Sequence, residues 1–209
     1  MPTRPVDGAR VVVSAPAKVN LRLRVLAREV SGYHQLETLF CALELADTLE
    51  IERAGRGIDL EVEGARLGPP EDNLVFRAAR AFYDTTGIEP GVRIVLRKRI
   101  PSGAGMGGGS SDAASTLLAL DALHDAPVGR AGLLRIGAAL GSDVPFFLCG
   151  SPLAFAWGRG ERLLTLPPLP RRPVLVAAPD FSISTPDAFR ALDSYVEEND
   201  AGLESYALE

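Results

Sequence analysis

The chain has 209 residues, of which 46% are hydrophobic and 23% charged, and its net charge is −5. These values are typical of an ordinary soluble globular protein with one large or two small domains, and they argue against a general nucleic-acid binder. Two cysteines, Cys41 and Cys149, lack metal-type spacing, which disfavours a zinc site or a disulfide scaffold. The N-terminus has no apolar core of signal-peptide length and no run reaches about 18 apolar residues, so we expect a cytoplasmic protein without a membrane span.

The first strong pattern is an amphipathic strand that starts after Ala17. Its polar face carries Lys18 and Asn20, whose side chains can therefore point into one cleft. The alternation predicts a half-buried strand. The apolar face consists of Val19, Leu21, Leu23 and Val25.

Further strands and helices follow along the chain. Asp72 or Asn73 can cap the first helix, and Gly87 can end it. The mixture of amphipathic strands and helices favours an α+β fold over a doubly wound parallel sheet. The predicted elements are a hairpin-like strand pair at 47–55 and 58–64, a helix at 71–87, a strand at 91–101, helices at 110–123 and 130–140, a strand pair at 153–166 and a buried strand at 174–178.

A glycine-rich loop, "PSGAGMGGGSSDAAS" at 101–115, joins a predicted strand to a predicted helix. It holds five glycines between Gly103 and Gly109. This order places free backbone N–H groups at the positive end of a helix dipole, with no Cβ atoms in the way, which suits a phosphate group. Ser110 and Ser111 could cap the helix, touch phosphate or reach a metal ion.

Three other interpretations of the loop are weaker. A flexible linker does not usually adjoin a strong helix start. The glycine spacing matches a dinucleotide-binding fingerprint literally, but the strand before it is strongly basic and no buried strand ending in an acid follows at the required distance. A Walker A loop needs a lysine where this chain has Ser110.

The loop resembles the P-x-G-x-G-x-G-S-S-A-A phosphate loop of the GHMP kinases. With "SAPAKVNLRLRV", "GYHQLETLF", "GSDVPFFLCG" and "FSISTPDAF", the chain resembles the 4-diphosphocytidyl-2-C-methyl-D-erythritol kinase family from about Ser14 to Phe189. The resemblance implies the GHMP kinase fold. It implies a domain of the ribosomal protein S5 domain 2 type at 1–152 and an incomplete ferredoxin-like domain at 153–209. It also implies ATP binding by Pro101, Ser102, Gly103, Ala104, Gly105, Met106, Gly107, Gly108, Gly109, Ser110 and Ser111.

The resemblance implies that Asp143 is the catalytic base and Lys18 its partner. By local sequence alone, Lys18 is more readily a solvated strand lysine, and Asp143 equally a turn or helix-end residue. The chemistry agrees with the implied roles, because phosphoryl transfer needs a proton acceptor and positive charge near the migrating group. A lysine beside an aspartate also favours its ionised form.

A second set of residues is implied to bind the substrate. Tyr33 and Phe189 would stack on the two sides of a cytosine, hydrogen bonds near His34 would select the base, and Thr185 and Asn20 would complete the site. By local sequence alone these aromatics are more readily ordinary core residues, and His34 is more readily a structural turn residue. Asn73 also matches a recurring family asparagine, although helix capping explains it.

The chain departs from the family pattern in two ways. The family usually reads D-G-Y-H, whereas Ser31 precedes Gly32 here, so any contribution from an acid at that position is lost. Family members also continue past this length to another glycine-rich motif. We therefore expect an unfinished second domain with exposed apolar strand surface and an open sheet edge.

The resemblance implies ATP-dependent phosphorylation of the 2-hydroxyl group of 4-diphosphocytidyl-2-C-methyl-D-erythritol, in the non-mevalonate route to isoprenoids. Mg²⁺ would accompany the ATP, with no metal ligand assigned. The partner is a small molecule rather than nucleic acid or membrane, and the chain is expected to be a monomer or weak dimer. Two alternatives remain open, namely another GHMP small-molecule kinase and a non-catalytic nucleotide-binding fragment.

Overall fold

The computed structural model describes residues 4–7, 9–177, 184–199 and 207–208. The strands are β1 (Arg4–Asp7), β2 (Arg10–Arg28), β3 (His34–Arg53), β4 (Gly57–Glu63), β5 (Gly91–Arg97), β6 (Leu153–Gly158), β7 (Arg162–Thr165) and β8 (Ala207–Leu208). The helices are α1 (Leu74–Thr86), α2 (Gly108–Leu123), α3 (Gly129–Leu140), α4 (Val144–Leu148) and α5 (Thr185–Asn199), with a 3₁₀ turn at Pro70–Asp72. This mixture confirms the predicted α+β class.

The strands form one eight-stranded sheet built around the long strands β2 and β3. Its main order is β1-β2-β3-β5-β4, while β6 pairs with β3 and β7, and β8 pairs with β2. Because β3 is 20 residues long, its first half pairs with β6 and its second half with β5. Only β4 and β5, which are joined through α1, pair in parallel among the described strands. The first two elements after residue 152, β6 and β7, therefore extend this same sheet, and a domain boundary at 152 stays a prediction.

The main core lies between the sheet and helices α1 to α3. Apolar side chains of β2, β3 and β5 pack there against buried residues of the three helices. The opposite face of the sheet carries ion pairs, such as those that Arg93 makes with Glu52 and Glu61. This one-sided burial is the usual arrangement for a largely antiparallel sheet.

Helix α1 agrees closely with its sequence pattern. Asn73 is the N-cap, and its Oδ1 accepts the backbone N–H of Val75 at 2.9 Å. Gly87 ends the helix in the left-handed conformation, with φ at 69°. Both helix ends thus have the residues that such ends prefer.

The predicted hairpin of 47–55 with 58–64 is wrong. β4 does not pair with β3, because β5 inserts between them and pairs with both. The glycines at 55 and 57 therefore lead to a strand on the far side of β5. A hairpin pattern depends only on alternation in neighbouring residues. The parallel pairing of β4 with β5 depends on helix α1, which connects the two strands.

The predicted faces of β2 are only partly correct. Val25 is buried, but Leu21 is 49% exposed and Lys18, on the supposedly solvated face, is buried. The register between β2 and β3 shifts at three places, after Pro16, Asn20 and Val25. Each bulge changes the number of residues between facing positions, so alternation counted from Ala17 does not hold along the strand.

The buried strand predicted at 174–178 is also wrong over its described part. Residues 174–177 are irregular, and Leu175 is 96% exposed. They have no described neighbouring strand to pair with, so the apolar run stays at the surface. Residue 178, like 179–183, lies outside the described residues. Among those described, no helix has both the length and the apolar character needed to cross a bilayer.

Candidate active site

The glycine loop connects β5 to α2, and three of its glycines adopt the left-handed backbone conformation. Gly103, Gly105 and Gly107 have φ of 72°, 68° and 69°. Helix α2 begins at Gly108, with Gly107 as an N-cap that has no side-chain hydrogen bond. Of the three possible roles of Ser110 and Ser111, capping is excluded, because both lie inside the first turn of the helix. The first N–H groups of α2 have no helical partner and remain available to an anion.

A cavity of about 390 Å³ lies over this loop. Residues 101–110 all line it, together with Asn73 from the start of α1 and Lys98 from the end of β5. Ser111 does not line the cavity, since it is fully buried beneath the loop, where its Oγ has no hydrogen-bond partner. The predicted ATP-binding segment thus forms one surface, apart from Ser111.

Lys18 and Asp143 meet at one end of the loop. The backbone N–H of Lys18 donates to the carbonyl of Met106 at 2.9 Å, which ties β2 to the glycine loop. The Lys18 Nζ lies 3.4 Å from Asp143 Oδ2, and these side chains are 7% and 28% exposed. Asp143 precedes α4 without capping it. The structure therefore brings the two predicted catalytic residues together, and Lys18 is not a solvated strand lysine.

Gly107 leaves the space through which the Lys18 side chain passes. A Cβ at position 107 would stand 3.1 Å from both Cγ and Cε of Lys18, and 3.1 Å from Cζ of Phe147. On the other side, the Lys18 ammonium lies 5.2 Å from the ring centroid of Phe40. The direction of the lysine is thus set by its packing.

A chain of hydrogen bonds from β2 and β3 fixes the Lys18 ammonium. Its ammonium donates to Asn20 Oδ1 at 2.7 Å, and Asn20 Nδ2 donates to Thr38 Oγ1 at 2.6 Å. Thr38 in turn donates to the carbonyl of Arg22 at 2.7 Å. Asn20 thus lies beside Lys18, and its role in substrate binding stays a prediction. Thr38 was not predicted, and its only sequence signal is a hydroxyl group in the "LETLF" segment, next to the charged Glu37.

The residues predicted to bind cytidine lie around the start of β3. Tyr33 is 59% exposed, while His34 is buried and stacks on Phe189 with ring centroids 4.5 Å apart and planes at 15°. The His34 Nε2 also lies 2.7 Å from Asp193 Oδ1. Phe189 therefore contacts His34, the residue next to Tyr33. Thr185 is the first residue of α5.

A buried charge cluster, which the sequence pattern does not single out, lies directly behind the loop. The Lys98 ammonium donates to Asp112 Oδ2 at 2.7 Å and also to Asp47 Oδ2. Asp47 Oδ1 accepts the backbone N–H groups of Arg99 and Ile100. All three charged side chains are almost fully buried. The cluster thus joins β3, the segment after β5 and the first turn of α2.

The cluster holds two carboxyl groups for one ammonium. Burial raises the pKa of Asp112 to about 7, although the adjacent Lys98 ammonium opposes the rise. Burial also disfavours the charge on Lys98, but the carboxylates of Asp112 and Asp47 outweigh this and raise the pKa of Lys98. Lys98 therefore stays charged near neutral pH, whereas Asp112 exchanges a proton in that range.

We expect Asp112→Asn to flatten the dependence of stability on pH. Because the folded-state pKa of Asp112 is raised from 3.8 to about 7, the folded chain binds more protons than the unfolded chain between those values. This carboxyl group therefore lowers stability as pH rises through that window. Between pH 5 and 8 the free energy of unfolding, measured by urea titration, should fall by about 2 kcal/mol more in the unmodified chain than in the variant.

Asp84→Asn provides a matched control for this measurement. Asp84 lies on α1 with its side chain 73% exposed, so its replacement should leave the pH dependence unchanged. Parallel pH profiles for Asp112→Asn and the unmodified chain would contradict the assignment of this proton to Asp112.

Several known proteins are similar in sequence to this chain over the residues that form the site. The family model for the GHMP kinases N terminal domain matches residues 73–151, which include the glycine loop and Asp143. The chain is 49% identical over 180 residues to a Deinococcus radiodurans 4-diphosphocytidyl-2-C-methyl-D-erythritol kinase, covering 86% of this chain and 60% of that protein. It is 42% identical over 198 residues to the Delftia acidovorans protein of the same name, covering 93% and 69%.

Solved structures show the same fold. A crystal structure of 4-(cytidine 5'-diphospho)-2C-methyl-D-erythritol kinase matches with a TM-score of 0.65 and 48% identity, over 74% of this chain and 55% of that one. The mevalonate kinase of Methanococcus jannaschii matches in fold, with a TM-score of 0.58 and 18% identity, over 77% and 56%. The GHMP kinase fold is thereby confirmed.

The chain spans about three fifths of the length of several curated relatives, as in the 60% and 62% covered of the Deinococcus radiodurans and Syntrophus aciditrophicus proteins. Its identity to the Delftia acidovorans protein extends over 69% of that longer sequence. On this evidence the chain belongs to the 4-diphosphocytidyl-2-C-methyl-D-erythritol kinase family of GHMP kinases.

Proposed function

We propose that this chain carries the catalytic groups for ATP-dependent phosphorylation of the 2-hydroxyl of 4-diphosphocytidyl-2-C-methyl-D-erythritol. The observation that carries the proposal is the 3.4 Å approach of Lys18 Nζ to Asp143 Oδ2 at the end of the glycine loop. A carboxylate, a buried ammonium and a cavity of about 390 Å³ bordered by free N–H groups are what phosphoryl transfer requires. The names of the relatives supply the substrate.

The reaction assigns one role to each group. Asp143 accepts the proton of the acceptor hydroxyl while the hydroxyl oxygen forms a bond to the γ-phosphorus of ATP. The bond from that phosphorus to the bridging oxygen breaks at the same time, and ADP leaves. Lys18 stabilises negative charge on the migrating group, and the N–H groups at the start of α2 hold the remaining phosphates.

The nucleotide enters as its Mg²⁺ complex in this proposal. Mg²⁺ keeps several waters and is held largely by phosphate oxygens, so few protein ligands are needed. Among the described residues there is no group of three or more His, Cys, Asp or Glu side chains that could hold a metal ion by itself.

The cytidine end is proposed to bind at the exposed Tyr33 ring, next to His34 and Phe189. A base stacked on an aromatic ring gains about 1–3 kcal/mol, without selection among bases. Polar groups near His34 would supply that selection, and Thr185 and Asn20 would complete the site. Within this proposal the chain acts in the cytoplasm on a small molecule, as a monomer or weak dimer.

The test is ADP release by the purified 209-residue chain with ATP, Mg²⁺ and the cytidine substrate. We expect release that depends on that substrate and does not occur with homoserine, mevalonate or galactose as acceptor. Release with one of those acceptors instead would favour another GHMP small-molecule kinase. ATP binding without ADP release on any acceptor would favour the non-catalytic fragment and overturn the proposal.

A further inference from the structure

An arginine covers one side of the Tyr33 ring. The guanidinium carbon of Arg159 lies 4.1 Å from the ring centroid, within the range of a cation–π contact. Arg159 comes from the turn between β6 and β7, and β6 pairs with β3 so that Gly158 faces Leu36. The strand pairing therefore places this turn beside the start of β3, where Tyr33 lies. The Tyr33 residue remains 59% exposed.

Arg159 is itself held by a carboxylate from the other end of the Tyr33 turn. Its Nη2 and Nε donate to Glu29 Oε2 at 2.5 and 3.2 Å, and Nη2 also donates to Ser31 Oγ at 3.2 Å. Ser31 in turn donates to Glu29 Oε2 at 2.8 Å. The Arg159 hydrogen bond keeps the pKa of Glu29 below its ordinary value, so the partner is a carboxylate at neutral pH.

Two backbone hydrogen bonds join the two ends of the same turn. The N–H of Glu29 donates to the carbonyl of Tyr33 at 2.7 Å, and the N–H of Gly32 donates to the carbonyl of Glu29 at 2.9 Å. Gly32 has φ at 85°, a conformation that favours glycine. A contact that fixes Glu29 therefore also fixes the position of Tyr33.

We propose that Arg159 is a positioning residue that holds the Tyr33 ring for the cytidine end of the substrate, with Glu29 as its anchor. The inference rests on the proposed function and deepens it at the base-binding end. Glu29 supplies the carboxylate two residues before Ser31, and the guanidinium joins both ends of the turn. A planar group is needed, because a lysine at 159 cannot both stack and donate two bonds in one plane.

The test is binding of cytidine 5'-diphosphate, measured by calorimetry, beside binding of a non-hydrolysable ATP analogue. We expect Arg159→Gln to weaken cytidine diphosphate binding about three- to tenfold and Arg159→Lys to recover only part of the loss, as for a stacked cation. The affinity for the ATP analogue should be unchanged in both. In turnover assays the same loss should fall on KM for the cytidine substrate and leave kcat unchanged.

Two further variants separate positioning from a general surface effect. Arg162→Gln removes an exposed arginine from the same hairpin, paired only to Glu161 among the described ion pairs, and should not change either affinity. Glu29→Gln should weaken cytidine diphosphate binding about two- to threefold. Adding Ser31→Asp to it should restore binding, because position 31 already lies within hydrogen-bond distance of Arg159.

The outcomes distinguish this inference from the proposed function. If the unmodified chain binds the ATP analogue but not cytidine diphosphate, both are overturned. If it binds cytidine diphosphate and Arg159→Gln binds it equally well, only the role of Arg159 is overturned. A loss of affinity for both ligands in Arg159→Gln would indicate general damage to the fold and would also overturn the positioning role.

Discussion

Replacing Asp143 with asparagine should lower the rate of phosphoryl transfer by about 10²- to 10⁴-fold, which is the usual contribution of a positioned general base. Asparagine keeps the shape of the side chain but cannot accept the proton of the acceptor hydroxyl. Lys18 keeps its 2.7 Å hydrogen bond to Asn20, so the ammonium stays in place. The glycine loop is untouched, and binding of a non-hydrolysable ATP analogue should remain within about twofold of the unmodified chain.

Single-turnover measurements with saturating ATP would isolate this effect on the chemical step. Asp84→Asn is the matched control, since it makes the same chemical change on the exposed side of α1 and should leave the rate unchanged. Thermal unfolding of both variants checks that the fold is retained. A rate for Asp143→Asn within threefold of the unmodified chain would show that this carboxylate is not the base.

Local sequence patterns predicted an element correctly where the residues of that element alone determine its structure. The apolar positions of α1, its Asn73 cap and its Gly87 end all lie within one segment, and the structure reproduces them. The pairing of β4 was not predictable in the same way, because its partner is β5, more than 30 residues further along the chain. An apolar run such as 174–177 likewise indicates a tendency to be buried but does not identify a neighbour.

The same distinction divides the candidate site. The glycine loop is contiguous, so its anion-binding character follows from strand, glycines and helix in order. Lys18 and Asp143 are 125 positions apart in the sequence, and only the resemblance to a family connected them. The cluster of Asp47, Lys98 and Asp112 had no such motif. It arises when β3 and β5 pair and α2 packs behind them, which no local pattern records.

Replacing Gly107 with alanine should reduce turnover by about 10- to 100-fold, because small displacements of reacting groups have effects of that size. The new Cβ would stand 3.1 Å from Cγ and Cε of Lys18 and 3.1 Å from Cζ of Phe147. Phe147 packs against the core, so the lysine is the side that must move. Its ammonium would then leave its position beside Asp143. Steady-state assays should show the loss mainly in kcat.

Gly87→Ala separates this steric effect from backbone strain. Gly87 and Gly107 have equal φ, at 69°, but Gly87 lies at the end of α1, away from the glycine loop, and nothing lies within 4 Å of a Cβ at position 87. An alanine in the left-handed region costs about 1–2 kcal/mol, so both variants should lose similar stability in urea titrations. Only Gly107→Ala should lose turnover beyond that shared effect. Equal losses in the two variants would assign the role of Gly107 to backbone conformation, and the lysine would not depend on the missing side chain.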